Sequence, residues 1–574
     1  MVDRVTKDVS YNIVYDGQGA QNISFRGLDY TATSFSEDLI PLYKTTLSNS
    51  NIFNIYNSTS TITSNGAARP SVFGVSSLGG DFEIKSSKPT EELEGELHTT
   101  IANDSVFNNL TIGTKQKSFY VQSNLTYLNR NSYKISDDFN YNSTQATNER
   151  VNSDKEYLGA SIKLGYYLND NDEVGFKYAS SKSEYGNETN VYLTPFYTRV
   201  LTQDLNSFYG FYDHKNKDYS LKTRVYLDKY EDVWAIYDDN TFTSINGTPV
   251  LYDDKRTGFL TKLDLLNNGF SFVANYEQNQ HISKNKYPDG EPKYVYETIN
   301  GSVLYKKTYN NISVNSALTY KKYRPVKVDY DGHTFDYPQE TGAKGDTLDA
   351  QVSLNYDFND STYYVSLTKT TKLPKMIEMY SFSDYQEPNP DLKPETSRNV
   401  EFGIKHSLKN GLISAAIYNY DIKDKIDSIS IPDPRYKYYY NIDKATHRGF
   451  ELRYSNLFYG KNFLNVEYAY SDAREENGDR LESIPENKLT ISDEIYITRK
   501  LSTLIEVNYQ SQMDDEDSNK IKAYSLVNIH GTYKIKNNIS TTLSVKNLLD
   551  KNYEYKYGMP SLGRTVYASL NWKF

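Results

Sequence analysis

Along most of the chain, hydrophobic and polar residues alternate one by one. In "SFYVQSNLTYL", Phe119, Val121, Ser123, Leu125 and Tyr127 share one face, and Tyr120, Gln122, Asn124 and Thr126 the other. In "SLKTRVYLDKY", Leu221, Thr223, Val225 and Leu227 oppose Lys222, Arg224, Tyr226 and Asp228. In "FLNVEYAYS", Leu464, Val466, Tyr468 and Tyr470 oppose Asn465, Glu467, Ala469 and Ser471. A period of two is the signature of β-strands with one apolar and one polar face. Such segments recur from about residue 97 to the final "VYASLNWKF". Helical periodicity is weak throughout, and no long helix is expected.

The connections alternate in length. Short ones ("LNDND", "NNGF", "LKNGL") interleave with long polar stretches at roughly 130–157, 231–256, 281–296, 324–347 and 427–446. Tight turns on one side and long loops on the other are expected of an outer-membrane β-barrel. No blade or coil repeat favours a soluble propeller or solenoid. Charged side chains on the polar faces suit a wide, wet lumen better than a packed sandwich core. The first 96 residues are rich in Gly, Ser and Asn and hold only short β-like pieces, "NISFRG" and "DFEIKSS". They predict a small domain inside or beside the barrel, giving domains at 1–96 and 97–574.

Composition narrows the classes. No apolar run reaches the roughly eighteen residues of a membrane-spanning helix, which leaves strands as the means of crossing. Tyrosine is abundant, at 56 residues, and suits both strands and the membrane–water boundary. Cysteine is absent, which removes disulfides and thiolate metal sites. A net charge of -10 without a basic run argues against nucleic acid. No Ser-elbow, zinc-protease or phosphate-loop motif occurs, and the seven histidines are scattered, so no catalytic set and no cofactor are expected. The N-terminus lacks the pattern of a signal peptide, so the chain reads as a mature form, a fragment or one with a mis-assigned start.

Three stretches resemble the TonB-dependent outer-membrane receptors. In "QNISFRGLD", Ile23, Arg26 and Gly27 fall on that family's plug strand, and in "SVFGVSSLGGDFEIKSSKP", Phe73, Gly74, Leu78, Gly79, Gly80, Ile84 and Pro89 follow. In "TKLPKMIEMYSFSDYQEPNPDLKPETSRNVEFGIKH", the matches are Pro374, Glu378, Tyr380, Asn389, Pro390, Leu392, Pro394, Glu395, Thr396, Glu401 and Gly403. In "VKNLLDKNYEYKYGMPSLGRTVYASLNWKF", they are Asn547, Leu548, Asp550, Tyr553, Pro560, Gly563, Arg564 and Phe574. The resemblance spans essentially the whole chain. It implies an all-β fold: a 22-stranded antiparallel transmembrane barrel closed by an N-terminal plug, here with a shortened front. About 22 residues per strand and connection fit that count.

The resemblance further implies a monomeric, non-enzymatic receptor in the cell outer membrane. It would import an extracellular metal chelate, foremost an iron–siderophore complex, with energy from the TonB complex. No TonB-binding segment is visible. Alternatives are a copper or cobalamin receptor, or a passive pore, adhesin or truncated receptor. Copper would favour thioether donors, for which Met376, Met379, Met513 and Met559 are candidates. Haem is disfavoured because no His lies between Lys372 and Leu392. Arg435, Tyr436, Tyr438, Tyr439 and Tyr440 form a cationic-aromatic patch suited to an anionic chelate, or else an interfacial tyrosine girdle. Arg26 is expected to bond acidic groups across the lumen, against the alternative of a solvent-facing side chain. Gly27, Gly74, Gly79 and Gly80 carry the plug motif, and the last two would serve backbone geometry. The plug is expected to be held by polar contacts without a dry core. Val566, Ala568, Leu570, Trp572 and Phe574 would face lipid on a last strand pairing with the first. Trp572 and Phe574 would form the signal read by the barrel-assembly machinery.

Overall fold

The computed structural model describes residues 8–15, 21–45, 61–65, 78–193, 195–284, 291–329, 345–380, 386–432, 435–515 and 518–574. Among these, 22 consecutive antiparallel strands, from Glu94–Ala102 to Thr565–Lys573, form one closed barrel. The last strand pairs with the first, Leu570 opposite Thr99 and Trp572 opposite Leu97. The backbone amide of Phe574 donates to the Gly95 carbonyl (2.9 Å), and that of Gly95 donates back (2.7 Å). Closure satisfies every strand edge, which is what allows a sheet to stand in lipid.

Burial is inverted relative to a soluble protein. Leu125, Val225, Ile417 and Leu543 are 48%, 51%, 59% and 60% exposed, whereas Asp232, Glu277 and Lys321 are fully buried. The apolar faces named from the sequence therefore point outward to lipid and the polar faces inward. On the last strand Val566, Leu570 and Trp572 are exposed, as is Phe574 beyond it, while Tyr567, Ser569 and Asn571 are half-buried on the inner side. The Trp572 and Phe574 rings lie 4.9 Å apart at the end that carries the short turns. Among the described residues no helix is long and apolar enough to span a membrane.

Turns 168–171, 216–218, 266–269, 409–410 and 459–461 lie at one end, and the long connections 131–154, 187–197, 237–249, 373–394, 476–486, 511–523 and 547–564 at the other. Short turns mark the periplasmic end. One expected loop proves largely strand: 427–446 is the far part of the hairpin Gly411–Pro432 and Arg435–Phe458. The expected loop 231–256 narrows to the connection 237–249, its two ends belonging to Tyr219–Ile236 and Val250–Leu265, and 324–347 begins inside Ile312–Val328, with 330–344 outside the described residues. Beyond the bilayer a strand needs no apolar face, so its polar sequence resembles a loop.

The N-terminal described residues lie within the lumen. They form two small sheets, one pairing Tyr11–Tyr15 with Gln21–Phe25, the other uniting Ser34–Glu37, Ile40–Pro41, Thr61–Asn65 and Asp81–Lys85. Their side chains reach inward-facing residues on two arcs of the wall, from Phe119–Arg130 to Phe270–Lys284 and from Glu395–Leu408 to Arg435–Phe458.

Candidate functional site

Luminal residues meet the barrel wall along two opposed surfaces. On one, the strand Gln21–Phe25 ends in a tight turn at Arg26 (φ 51°) and Gly27 (φ 75°), which throws the guanidinium onto the wall. Its Nη1 donates to Glu401 Oε2 (2.7 Å) and to the Tyr420 hydroxyl (2.5 Å). Its Nε and Nη2 donate to Glu451 Oε1 (2.7 Å) and Oε2 (3.1 Å), a two-pronged pairing. The Tyr418 ring lies 4.1 Å from the guanidinium carbon, a cation–π contact. All three ionic side chains are buried. Glu401 and Glu451 point inward because alternation on Glu395–Leu408 and Arg435–Phe458 sends Phe402 and Phe450 outward to lipid. A Cβ on Gly27 would stand 2.7 Å from Ile484 Cγ2, so that turn requires glycine for space as well as for its left-handed φ.

Around this lock sits an apolar cluster. Tyr11, Ile23, Phe25, Leu28, Phe35 and Phe82 of the luminal segment pack with Tyr418, Tyr420, Ile422, Ala445 and Ile484 of the wall and its loops. The expectation of an interface without a dry core is thus corrected. The wall strands present Tyr, Ile and Ala inward at this level, and apolar luminal residues cover them.

The opposite surface is mainly polar. Lys177 Nζ bridges both oxygens of Glu37 (2.7 Å each), and Lys163 Nζ donates to Asp38 Oδ2 (2.8 Å). The Tyr209 hydroxyl donates to the same carboxylate (3.1 Å), and Arg224 Nε to the Asp38 carbonyl (3.1 Å). Burial raises the Asp38 carboxyl, but Lys163, Ser86 and Lys177 outweigh it and hold it down at about 2. Tyr43 donates to Glu277 Oε2 (2.8 Å), Lys44 pairs with the fully buried Asp232, and Lys88 with Glu173 (2.5 Å). Of these partners only Arg26, Glu401 and, as one of a polar strand face, Arg224 were named from the sequence. Paired inward-facing ions on strands whose other face is apolar were the available signal.

The remaining sequence-derived residues disperse. Met376 and Met379, on the short helix Met376–Met379, are buried in an apolar cluster with Tyr294, Tyr296, Tyr323, Leu373 and Tyr380. Met513 and Met559 neighbour Gln510 and Arg150 instead. Strand alternation divides the tyrosine patch. The Tyr438 and Tyr440 rings stack at 6.4 Å, while Tyr439 packs from the other face onto the Met376 cluster. Asn389 ties this hairpin down, donating to the Tyr438 hydroxyl (3.1 Å) and the Tyr439 carbonyl (2.8 Å). The side chains of Arg435 and Tyr436, and Gly74 altogether, lie outside the described residues. Gly80 adopts a left-handed φ of 91°, and the amide of Gly79 donates to the Ala32 carbonyl (3.0 Å). In the terminal hairpin, Asn547 donates to the carbonyls of Lys551 (2.9 Å) and Leu562 (3.2 Å), and Asp550 accepts from the Arg564 amide (2.6 Å). Among the described residues no group of three His, Asp or Glu is arranged to hold a metal ion.

A family model described as "TonB dependent receptor-like, beta-barrel" matches residues 98–548. Part of the chain is similar to a vitamin B12 transporter of Photobacterium profundum, 28% identical over 209 residues, or 34% of this chain and 33% of that protein. It is also similar to an iron-regulated outer membrane virulence protein of Vibrio cholerae, 27% identical over 211 residues, 32% of each. The aligned part spans about a third of the length of these curated relatives. Among solved structures, the copper transporter OprC superposes with a TM-score of 0.83 at 14% identity, covering 98% of this chain and 94% of that one. The siderophore receptor PirA from Acinetobacter baumannii gives 0.78 at 16%, covering 100% and 95%. At such identities the likeness is one of fold.

Proposed function

The chain belongs to the TonB-dependent receptors, β-barrels of the outer membrane that act as transport receptors and not as enzymes, and from that premise we propose that it imports a ferric siderophore. Capture occurs at the end carrying the long connections. The N-terminal residues, up to about 96, act as a plug that TonB-derived energy displaces. Release follows into the periplasm.

The observation that carries this reading is the way the luminal segment is held. Its anchors are ion pairs and hydrogen bonds that water can replace once the segment shifts, such as Arg26 with Glu401 and Glu451, or Glu37 with Lys177. A gate built so is closed at rest and can be opened without unfolding the barrel. The cargo follows from the donors. With its Met376 and Met379 thioethers sunk in an apolar cluster and no cluster of His, Asp or Glu to hold a bare ion, the described chain favours a metal that arrives already wrapped in a chelator. Tyr438 and Tyr440, stacked on the extended hairpin, are the proposed first contacts, with Arg435 and Tyr436 beside them in sequence.

The test is equilibrium binding of the purified protein to a panel of ferric siderophores, cobalamin, haem and copper(II). Submicromolar binding of a ferric chelate, weakened by Tyr438→Ala and Tyr440→Ala together, supports the reading. Binding of cobalamin or copper alone replaces the cargo, and binding of none removes the receptor role.

A further inference from the structure

The connection 547–564, which carries the terminal motif, serves neither the gate nor the cargo. It leads into the last strand, at the seam where the barrel closes on itself. Both strands that meet there are short. Glu94–Ala102 and Thr565–Lys573 have 9 residues each, against 24 in Arg435–Phe458. They pair only from Tyr567 opposite Ala102 to Lys573 opposite Glu96. The first hairpin turns over at once through residues 103–104. A seam so short has few ladder hydrogen bonds to break before it parts.

Above this low stretch of wall three connections interlock. The connection 547–564 passes over the first two strands and meets 131–154, between the third and fourth, and 187–197, between the fifth and sixth. The Gly563 amide donates to the Lys134 carbonyl (2.8 Å), and Ile135 pairs with Leu562 in an antiparallel bridge. The Asp137 amide donates to Asp550 Oδ2 (3.0 Å), and the Ser136 hydroxyl to the Asp550 carbonyl. The Tyr133 hydroxyl reaches the Pro560 carbonyl (3.2 Å). From 187–197, the Val191 amide donates to the Gly558 carbonyl (2.9 Å), and the Asn190 side-chain amide to the Tyr557 carbonyl (2.6 Å). Below them, the Asn131 amide donates to the Asp104 carbonyl of the first hairpin (2.9 Å).

The junction is closely fitted. Tyr133, Ile135, Phe139 and Val191 are buried together, with Leu562 against them. Arg150 is fully buried. It donates from Nη1 to Gln145 Oε1 (3.1 Å) and from Nη2 to the Thr189 carbonyl (2.6 Å), and Nη2 lies 3.8 Å from Met559 Sδ. One cation thus touches all three connections. A Cβ on Gly563 would stand 2.7 Å from the Ile135 carbonyl carbon and 2.8 Å from its oxygen, backbone atoms that cannot turn aside.

The two halves of this junction come from opposite ends of the chain. Ser136 and Asp550 are 414 positions apart, and Tyr133 and Pro560 427. Joining them is costly in chain entropy until the barrel itself has brought the ends together. Irregular polar backbone does not rest in hydrocarbon, so the junction forms only after 547–564 has crossed to the outer side. We propose that 547–564 is a latch. It engages 131–154 and 187–197 once the barrel has closed, and thereafter keeps the last strand from peeling away from the first. The latch does not depend on which cargo the receptor carries.

The test uses the full chain in detergent micelles. Because the chain has no cysteine, I135C/L562C introduces one disulfide across the latch, and residues opposed in an antiparallel bridge lie within disulfide reach. The second variant is G563A. Its control is G478A, a loop glycine of left-handed φ (92°) with no atom within 4 Å of an added Cβ. Losing two buried hydrogen bonds corresponds to about a tenfold change in an opening equilibrium. G563A should therefore exchange amide hydrogens about tenfold faster in Glu94–Ala102 and Thr565–Lys573, with Ile312–Val328 and Gly345–Phe358 on the opposite wall unchanged and G478A like the native chain. Oxidised I135C/L562C should keep its folded gel mobility to a higher temperature than the reduced form. Unchanged seam exchange in G563A, an equal loss of protection on the opposite wall, or equal thermal resistance of the oxidised and reduced forms overturns the proposal. If G563A does not assemble, the comparison of oxidised and reduced I135C/L562C decides by itself.

Discussion

Replacing Arg26 by methionine removes the cation on which two buried carboxylates converge. Arg26 makes four hydrogen bonds there, to Glu401 at 2.7 Å, to Glu451 at 2.7 and 3.1 Å and to Tyr420 at 2.5 Å. Glu401 and Glu451 are 7% and 3% exposed, so water cannot replace the lost partner. Breaking a buried ion pair on one side costs about 3–5 kcal/mol. Some compensation stays behind. The Tyr364 hydroxyl still donates to Glu401 (2.8 Å), and Arg453 remains 3.4 Å from Glu451. That places the cost near the lower end, about 3 kcal/mol, or roughly a hundredfold in the equilibrium between docked and released luminal segment. Hydrogen–deuterium exchange by mass spectrometry reads this directly, because the strand Gln21–Phe25 exchanges through such openings. Arg26→Met should lower its protection about a hundredfold while leaving barrel strands unchanged. The triple change R26M/E401L/E451M should recover most of it, since an apolar replacement of a whole buried ionic group is often neutral. Undiminished protection in the single variant, or no recovery in the triple, would refute the electrostatic account of the lock.

Other consequences are as specific. Gly27→Ala should loosen the same segment by about 1–2 kcal/mol through its left-handed φ and the 2.7 Å approach to Ile484; adding Ile484→Ala should restore only the steric part of the lost exchange protection. Asp38, held at about 2 in the folded chain against roughly 3.9 when unfolded, contributes docking that is complete above about pH 4 and fades as pH falls through about 2. Bilayer conductance should accordingly rise over that window, and Asp38→Asn should raise it already at neutral pH. Deleting Phe574, whose backbone pairs with Gly95 and whose ring stands over it, should lower the amount of barrel assembled in the outer membrane far more than the amount synthesised; equal assembled levels would remove its role as a recognition signal.

The barrel was legible because a strand in lipid must alternate, and every face named from the sequence, from Leu125 outward to Gln122 inward, follows that rule. Loop boundaries were less so. Strand residues above the bilayer, as in Ile426–Ile429 and Tyr438–Ile442, escape the constraint that makes strands visible. Local patterns also carry no record of partners chosen across the lumen. Arg26 and Glu451 are 425 positions apart, and Lys44 and Asp232 188 apart. The tyrosine run looked like one patch because adjacency in sequence was read as adjacency in space, whereas Tyr439 and Tyr440 point to opposite sides of their strand.

The central claim is energised import of a ferric chelate. It is tested most directly by accumulation of radio-iron in cells that express the protein, supplied with each ferric siderophore in turn, in paired strains with and without TonB. The account predicts that one chelate is accumulated, that accumulation ceases without TonB or when the proton gradient is collapsed, and that surface binding persists in both cases. Accumulation that continues undiminished without TonB, or no accumulation of any chelate by cells with correctly assembled protein, would contradict it.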